Sequence, residues 1–239
     1  MATHYLKIDK KEGNFFQTSK TPQEGFERND WEVDGKTGTN YKKYFKEPIT
    51  GEFIDVRYNP DGEYGDVLSF TLKDGEEYYI IQTNFEPITG RLDYFAEDFI
   101  KRLPNLVKGQ VYTCNPFVYQ PEDRDRPYRG ISFWEGEERN KDAKIEKALT
   151  QQYIDKETGE PTEGDVPPVY FEQKRGKWIA DSDEKIDYLF GILESRIAKD
   201  FTKQEEEKQE EKPTSKKANK SKPALAEVSE DEVDDDLPF

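Results

Sequence analysis

The sequence predicts a mainly β protein built on a small closed barrel, with an added C-terminal helix and a disordered acidic tail. Three observations predict it. Between residues 41 and 82, short runs rich in aromatic and β-branched residues alternate with turn signals. One helical period interrupts them, at Leu92, Phe95, Phe99 and Leu103. Beyond residue 202, apolar residues nearly vanish while Lys, Glu and Gln accumulate.

Taken in order, residues 1–37 are polar with scattered rings (Tyr5, Phe15, Phe16, Phe26, Trp31) and no sustained period. They read as an irregular N-terminal arm that packs on the domain or on a second subunit, so a homodimer is one expected assembly. Tyr41–Lys46 and Phe53–Tyr58, on either side of a Pro48–Gly51 turn, read as one long bent strand or as a hairpin. After the Asn59–Gly62 loop, Val67–Leu72 and Glu77–Gln82 flank Lys73-Asp74-Gly75-Glu76, a hairpin signal. In the first of these, Leu68, Phe70 and Leu72 make one wholly apolar face. The helix around Phe95 and Phe99 stops before Pro104. Val111–Val118 carries Pro116 and belongs near an edge or bulge, and Gly130–Trp134 is the last strand.

Over residues 38–140 this element order is that of an OB-fold, a five-stranded barrel with a helix between strands 3 and 4. An SH3-like barrel would lack a helix there, and a sandwich would need more strands. Residues 141–201 form a C-terminal extension. A short helix is expected over Ala143–Tyr153, and a small hairpin from Val169–Phe171 and Trp178–Ile179. A helix follows, striped by Ile186, Leu189, Phe190, Leu193 and Ile197 and capped by Asp181 or Ser182. That helix caps the barrel or, alternatively, carries a subunit contact. Residues 202–222 read as a disordered linker and 223–239 as an acidic partner-binding tip.

Charge narrows the function. The formal net charge is −16, from 36 basic and 52 acidic residues. Residues 201–239 hold seven lysines and twelve acids, which leaves the body near −11. Binding to nucleic acid therefore requires a local basic and aromatic groove against an acidic background. Cys114 and His4 are each the sole residue of their type, which excludes an intramolecular disulfide and a zinc cluster. No apolar run has the length of a membrane span and the N-terminus has no signal-peptide core, so a soluble, intracellular protein without a membrane partner is expected. No glycine loop cradles a phosphate and no carboxylate pair stands out among so many. Neither catalytic residues, a metal nor a cofactor is expected, and the chain does not read as an enzyme.

A single nucleic-acid strand is held by rings on which bases stack and cations that follow the phosphates. The densest such cluster is Tyr41–Lys46, where strand alternation puts Lys42, Tyr44 and Lys46 on one face and Phe45 on the core side. Arg57 and Tyr58 end the next strand, and Tyr78 or Tyr79 must face outward, with Tyr79 the groove candidate of the two. Arg124, Arg126, Tyr128 and Arg129 lie in or beside the loop between the last two strands, with Trp134 beyond them. At the far end, Asp234, Asp235 and Asp236 precede Leu237, Pro238 and Phe239. Acids speed encounter with a basic partner, and a terminal ring beside its carboxylate suits a shallow pocket rimmed by Lys or Arg.

This tip resembles the C-terminal tip of bacterial single-stranded DNA-binding proteins. Residues 40–135 also look like phage-encoded single-stranded DNA-binding proteins, through Tyr44–Gly51, Glu63–Gly65, Thr71–Gly75, Leu103–Leu106 and Arg129–Ile131. The resemblance implies an OB-fold that coats single-stranded DNA in phage replication, recombination and repair. It also implies recruitment of replication and recombination proteins through the tip, in the cytoplasm of a bacterial host. The linker lacks the Gly, Pro and Gln richness of the bacterial proteins and the body is acidic, so their tetramer and binding mode are not implied. The rival reading is an acidic adaptor that docks on partners through the tip and never touches nucleic acid.

Overall fold

Strand pairing in the first fifty residues decides the architecture. The computed structural model describes residues 1–202 except 34, 61–64, 123–125 and 175–176, with side chains omitted also at 33, 174, 177 and 178. Four strands precede the expected barrel region or run into it: β1 (Ala2–Ile8), β2 (Phe15–Ser19), β3 (Glu27–Val33) and β4 (Lys36–Phe45). Then come β5 (Ile49–Asn59), β6 (Val67–Asp74), β7 (Glu77–Glu86), the short β8 (Arg91–Leu92), helix α1 (Tyr94–Arg102), β9 (Val111–Tyr119) and β10 (Tyr128–Glu135). A separate hairpin of β11 (Tyr170–Lys174) and β12 (Lys177–Asp181) leads into α2 (Asp183–Asp200).

The expected five-stranded closed barrel does not form. The strands make one open mixed sheet in the order β10-β9-β5-β6-β7-β1-β2-β4-β3, with β8 added on β7. Closure would need β10 to pair with β7. Instead β1 lies parallel along β7, Tyr5 opposite Ile80 and Leu6 opposite Ile81. The physical reason is the short alternation Tyr5-Leu6-Lys7-Ile8. It buries Leu6 and Ile8 while its backbone satisfies the β7 edge that a barrel would have used. Two apolar residues are too few to stand out as a period, so the segment expected as an irregular arm is three strands and the start of a fourth. Nor do the two runs at 41–46 and 53–58 pair with each other: β4 pairs with β2 and β3, β5 with β6 and β9.

Other elements follow the sequence closely. Gly75 takes φ +54° in the tight turn between β6 and β7, where Asp74 faces Glu77. Pro116 sits in β9 beyond Cys114, where pairing with β5 has ended and only β10 remains alongside. Asp93 caps α1 by accepting from the Phe95 N–H, and a short 3₁₀ turn at Leu103–Asn105 ends it. The helix expected over Ala143–Tyr153 is absent; a 3₁₀ turn at Lys141–Ala143 is followed by extended chain that donates from Ala148 and Leu149 to the Lys101 carbonyl.

The core lies between the curled sheet and the two helices. Phe99 of α1 stacks on Phe70 of β6 at 4.4 Å between centroids, and Phe133 of β10 lies 5.6 Å from Phe70. Rings from strands three places apart in the sheet thus meet over α1, each fully buried ring being worth about 1.5–3 kcal/mol. Ile186, Leu189 and Leu193 of α2 are buried in the same core, as the stripe predicts. The gap between β10 and β7 is spanned by the β1–β2 turn: Arg129 donates from Nε to the Lys10 carbonyl at 2.9 Å. Gly13 in that turn has φ +68°, and a Cβ there would stand 2.7 Å from the Val118 nitrogen. Gly13→Ala is therefore expected to destabilise the fold by about 1–3 kcal/mol in chemical denaturation. A wild-type midpoint would show that the turn does not brace β9.

Candidate nucleic-acid interface

One face of the sheet is core; the other forms a groove. Because paired residues share a face, register alone lists what the groove presents. Tyr78 of β7, Tyr5 and Lys7 of β1, Phe16 of β2, and Lys42 and Tyr44 of β4 all point to the side opposite Leu6, Ile81 and Phe15. Part of this face is a hollow of about 940 Å³ crossing β5, β6, β7, β1 and β2. At about 4.8 Å per strand, these five strands give a track roughly 20 Å across.

The rings stand where bases could stack. Tyr5 is 56% exposed and Tyr44 36%, and Tyr44 lies 5.9 Å from the half-buried Phe16. The Lys42 ammonium sits 4.9 Å over Phe16 and that of Lys73 5.8 Å over Tyr78, so each ring is already paired with a cation. Burial, then the nearby Asp9 carboxylate, raises the Tyr44 hydroxyl above its ordinary pKa, so it stays a neutral donor. It donates to Asp9 at 3.4 Å. Acids are present too. Arg57 is held by Asp55 at 2.5 Å and Lys10 by Asp93 at 2.6 Å. Among the described residues Lys7 and Lys42 enter no ion pair, which leaves them for an incoming anion.

The sequence-predicted residues divide among several places. Lys42, Tyr44 and Arg57 share the groove face, as alternation requires. Lys46 and Tyr79 line a smaller hollow of about 370 Å³ beside Phe45. Tyr79 stacks on His4 at 5.1 Å and donates to Glu77; burial, then that hydrogen bond, pushes its hydroxyl up to about 12. Tyr78, its neighbour, is the one that faces the groove. Tyr58 points to the core side, edge-on to Phe190 at 5.1 Å, and donates to Asp66 at 2.5 Å; burial first, and Asp66 second, raise its pKa strongly. Trp134 pairs with Thr113, bridges to Lys144, and is not among the residues lining the 940 Å³ hollow. Arg126 is exposed in the β9–β10 loop. Tyr128 and Arg129 line a second hollow beyond the Lys10 turn. Arg124 and the tip residues Asp234, Asp235, Asp236, Leu237, Pro238 and Phe239 lie outside the described residues.

Tyr5, Lys7, Phe16 and Lys73 were not among the sequence-predicted groove residues, and Tyr78 was there only as the alternative to Tyr79. Their signal was indirect: Leu6 and Ile8 facing inward oblige Tyr5 and Lys7 to face outward. Among the described residues no group of three or more His, Cys, Asp or Glu is placed to hold a metal ion, and no helix is long and apolar enough to cross a membrane.

Fold and face together define a curled mainly β sheet protein with an aromatic and cationic groove. Searches against family models, curated proteins and solved structures find no match to this chain.

Proposed function

We propose that the chain binds single-stranded DNA along this groove, as a protein that coats exposed strands during phage replication, recombination and repair. The observation that carries the reading is the convergence of Tyr5, Phe16, Tyr44 and Tyr78 with Lys7, Lys42 and Lys73 on one sheet face. Rings accept any base, and lysines follow the phosphates without reading sequence. The acidic segment ending Asp236-Leu237-Pro238-Phe239 serves as the recruiter of replication and recombination proteins. The body's acidic balance limits unspecific attraction, so affinity comes from the groove rather than from the molecule's overall field.

Titration of the protein with labelled oligo(dT), against duplex of equal length, tests this. Single-strand preference is expected, with an affinity that falls as salt rises by a log–log slope of about 0.7 for each phosphate neutralised. Absent binding to both would leave the acidic adaptor as the better reading, and equal binding to both would refute the single-strand preference.

A further inference from the structure

The second hollow, of about 730 Å³, lies between α1 and the extended chain of residues 147–171. Its charge is unusual for this molecule. It contains two acids, and each is already neutralised. Glu97 receives Lys101 at 2.5 Å and Lys185 at 2.8 Å. Burial alone would raise the Glu97 carboxyl, but Lys185 and Lys101 together hold it below the usual range. Asp98 receives Arg102 at 2.7 Å and also Lys147. Arg129 and Lys156 line the same hollow and enter no ion pair among the described residues. The wall is thus positive on a chain of net charge −16.

Rings accompany the charge. Tyr94 is 56% exposed, Tyr153 66% and Phe171 64%, although all three border a hollow that could cover them. The hollow also abuts the groove. Arg129 lies 5.8 Å from the Tyr94 ring and is bonded to the Lys10 carbonyl, while Lys10 itself reaches Asp93 on the groove rim. One short ridge separates the two depressions.

We infer that the hollow is a second subsite for the same polynucleotide, which crosses the ridge at Arg129 and stacks further bases on Tyr153 and Phe171. This rests on the groove reading and extends it. Positive charge, exposed rings and continuity with the groove together select a polyanion bearing flat bases. An acidic peptide would satisfy the charge but not the three exposed rings that stand ready for flat bases.

Oligo(dT) of two lengths distinguishes the parts, one near the lower limit of a single module, about 4 nucleotides, and one of about 16. With Tyr153→Ala and Phe171→Ala combined, affinity for the longer oligonucleotide is expected to fall about tenfold or more, the loss of one to two stacked bases. The shorter one should bind as to wild type. Lys156→Gln should lower the salt slope for the longer one alone by about 0.7. Both rings are exposed, and an unchanged melting temperature confirms that the fold survives. If the variants bind the longer strand like wild type while Tyr5→Ala weakens both lengths, the subsite is refuted and the groove stands. Equal losses on both lengths would refute the hollow as an extension. If wild type binds neither length, the groove reading itself falls.

Discussion

Replacing Tyr5 and Tyr44 together by alanine is expected to lower affinity for oligo(dT) by about two orders of magnitude or more. A base stacked on an aromatic ring is worth about 1–3 kcal/mol, and the two rings lie on adjoining parts of one face. Tyr5 pairs through β1 with Ile80 on the groove floor, and Tyr44 through β4 with Phe16. Both are exposed enough that truncation removes little core. Tyr58→Ala is the informative contrast, since its ring packs on Phe85 and Phe190. It should reduce stability and leave the affinity of the folded fraction unchanged. Fluorescence anisotropy at fixed salt, with thermal melts on each variant, reads both quantities. Wild-type affinity in the double variant would place the strand on another face.

Asp98→Ala is expected to destabilise the protein by about 3–5 kcal/mol, the range for removing one partner of a buried ion pair. That corresponds to a melting temperature lower by about 6–20 °C for a domain of this size. Asp98 is 4% exposed, and its carboxylate accepts from the Ile131 N–H at 2.8 Å and from the Arg102 guanidinium at 2.7 Å. It ties α1 to β10, the strand without a barrel partner. Truncation leaves the guanidinium of Arg102, 5% exposed, without its counter-charge and the strand N–H without an acceptor. Asp98→Asn retains one acceptor and should recover part of the loss. A cost under about 1 kcal/mol would show that solvent reaches the pair.

The local reading of the chain succeeded where a single element declared itself. Leu68, Phe70 and Leu72 on one face, Asp74-Gly75 at the turn, and Phe95 and Phe99 above Pro104 each describe their own structure. The site was legible to the same extent: alternation put Lys42 and Tyr44 on one face and Phe45 on the other. It could not choose between Tyr78 and Tyr79, because the register with β1 and β6 makes that choice. Tyr58 misled because a ring that ends a strand with its hydroxyl free looks like a groove residue until Asp66 and Phe190 are placed beside it.

Composition and periodicity by themselves determined that this chain is mainly β, that the main runs between residues 41 and 134 are strands, where α1 and α2 lie, and that rings and cations coincide on β4. Tertiary structure alone decided that the sheet stays open and that two hollows adjoin at Arg129. The reason is that an edge strand's unpaired N–H and C=O groups accept whichever strand arrives with a buriable face. Here Leu6 and Ile8 bring β1 to β7, a contact between residues more than seventy positions apart that no local pattern contains.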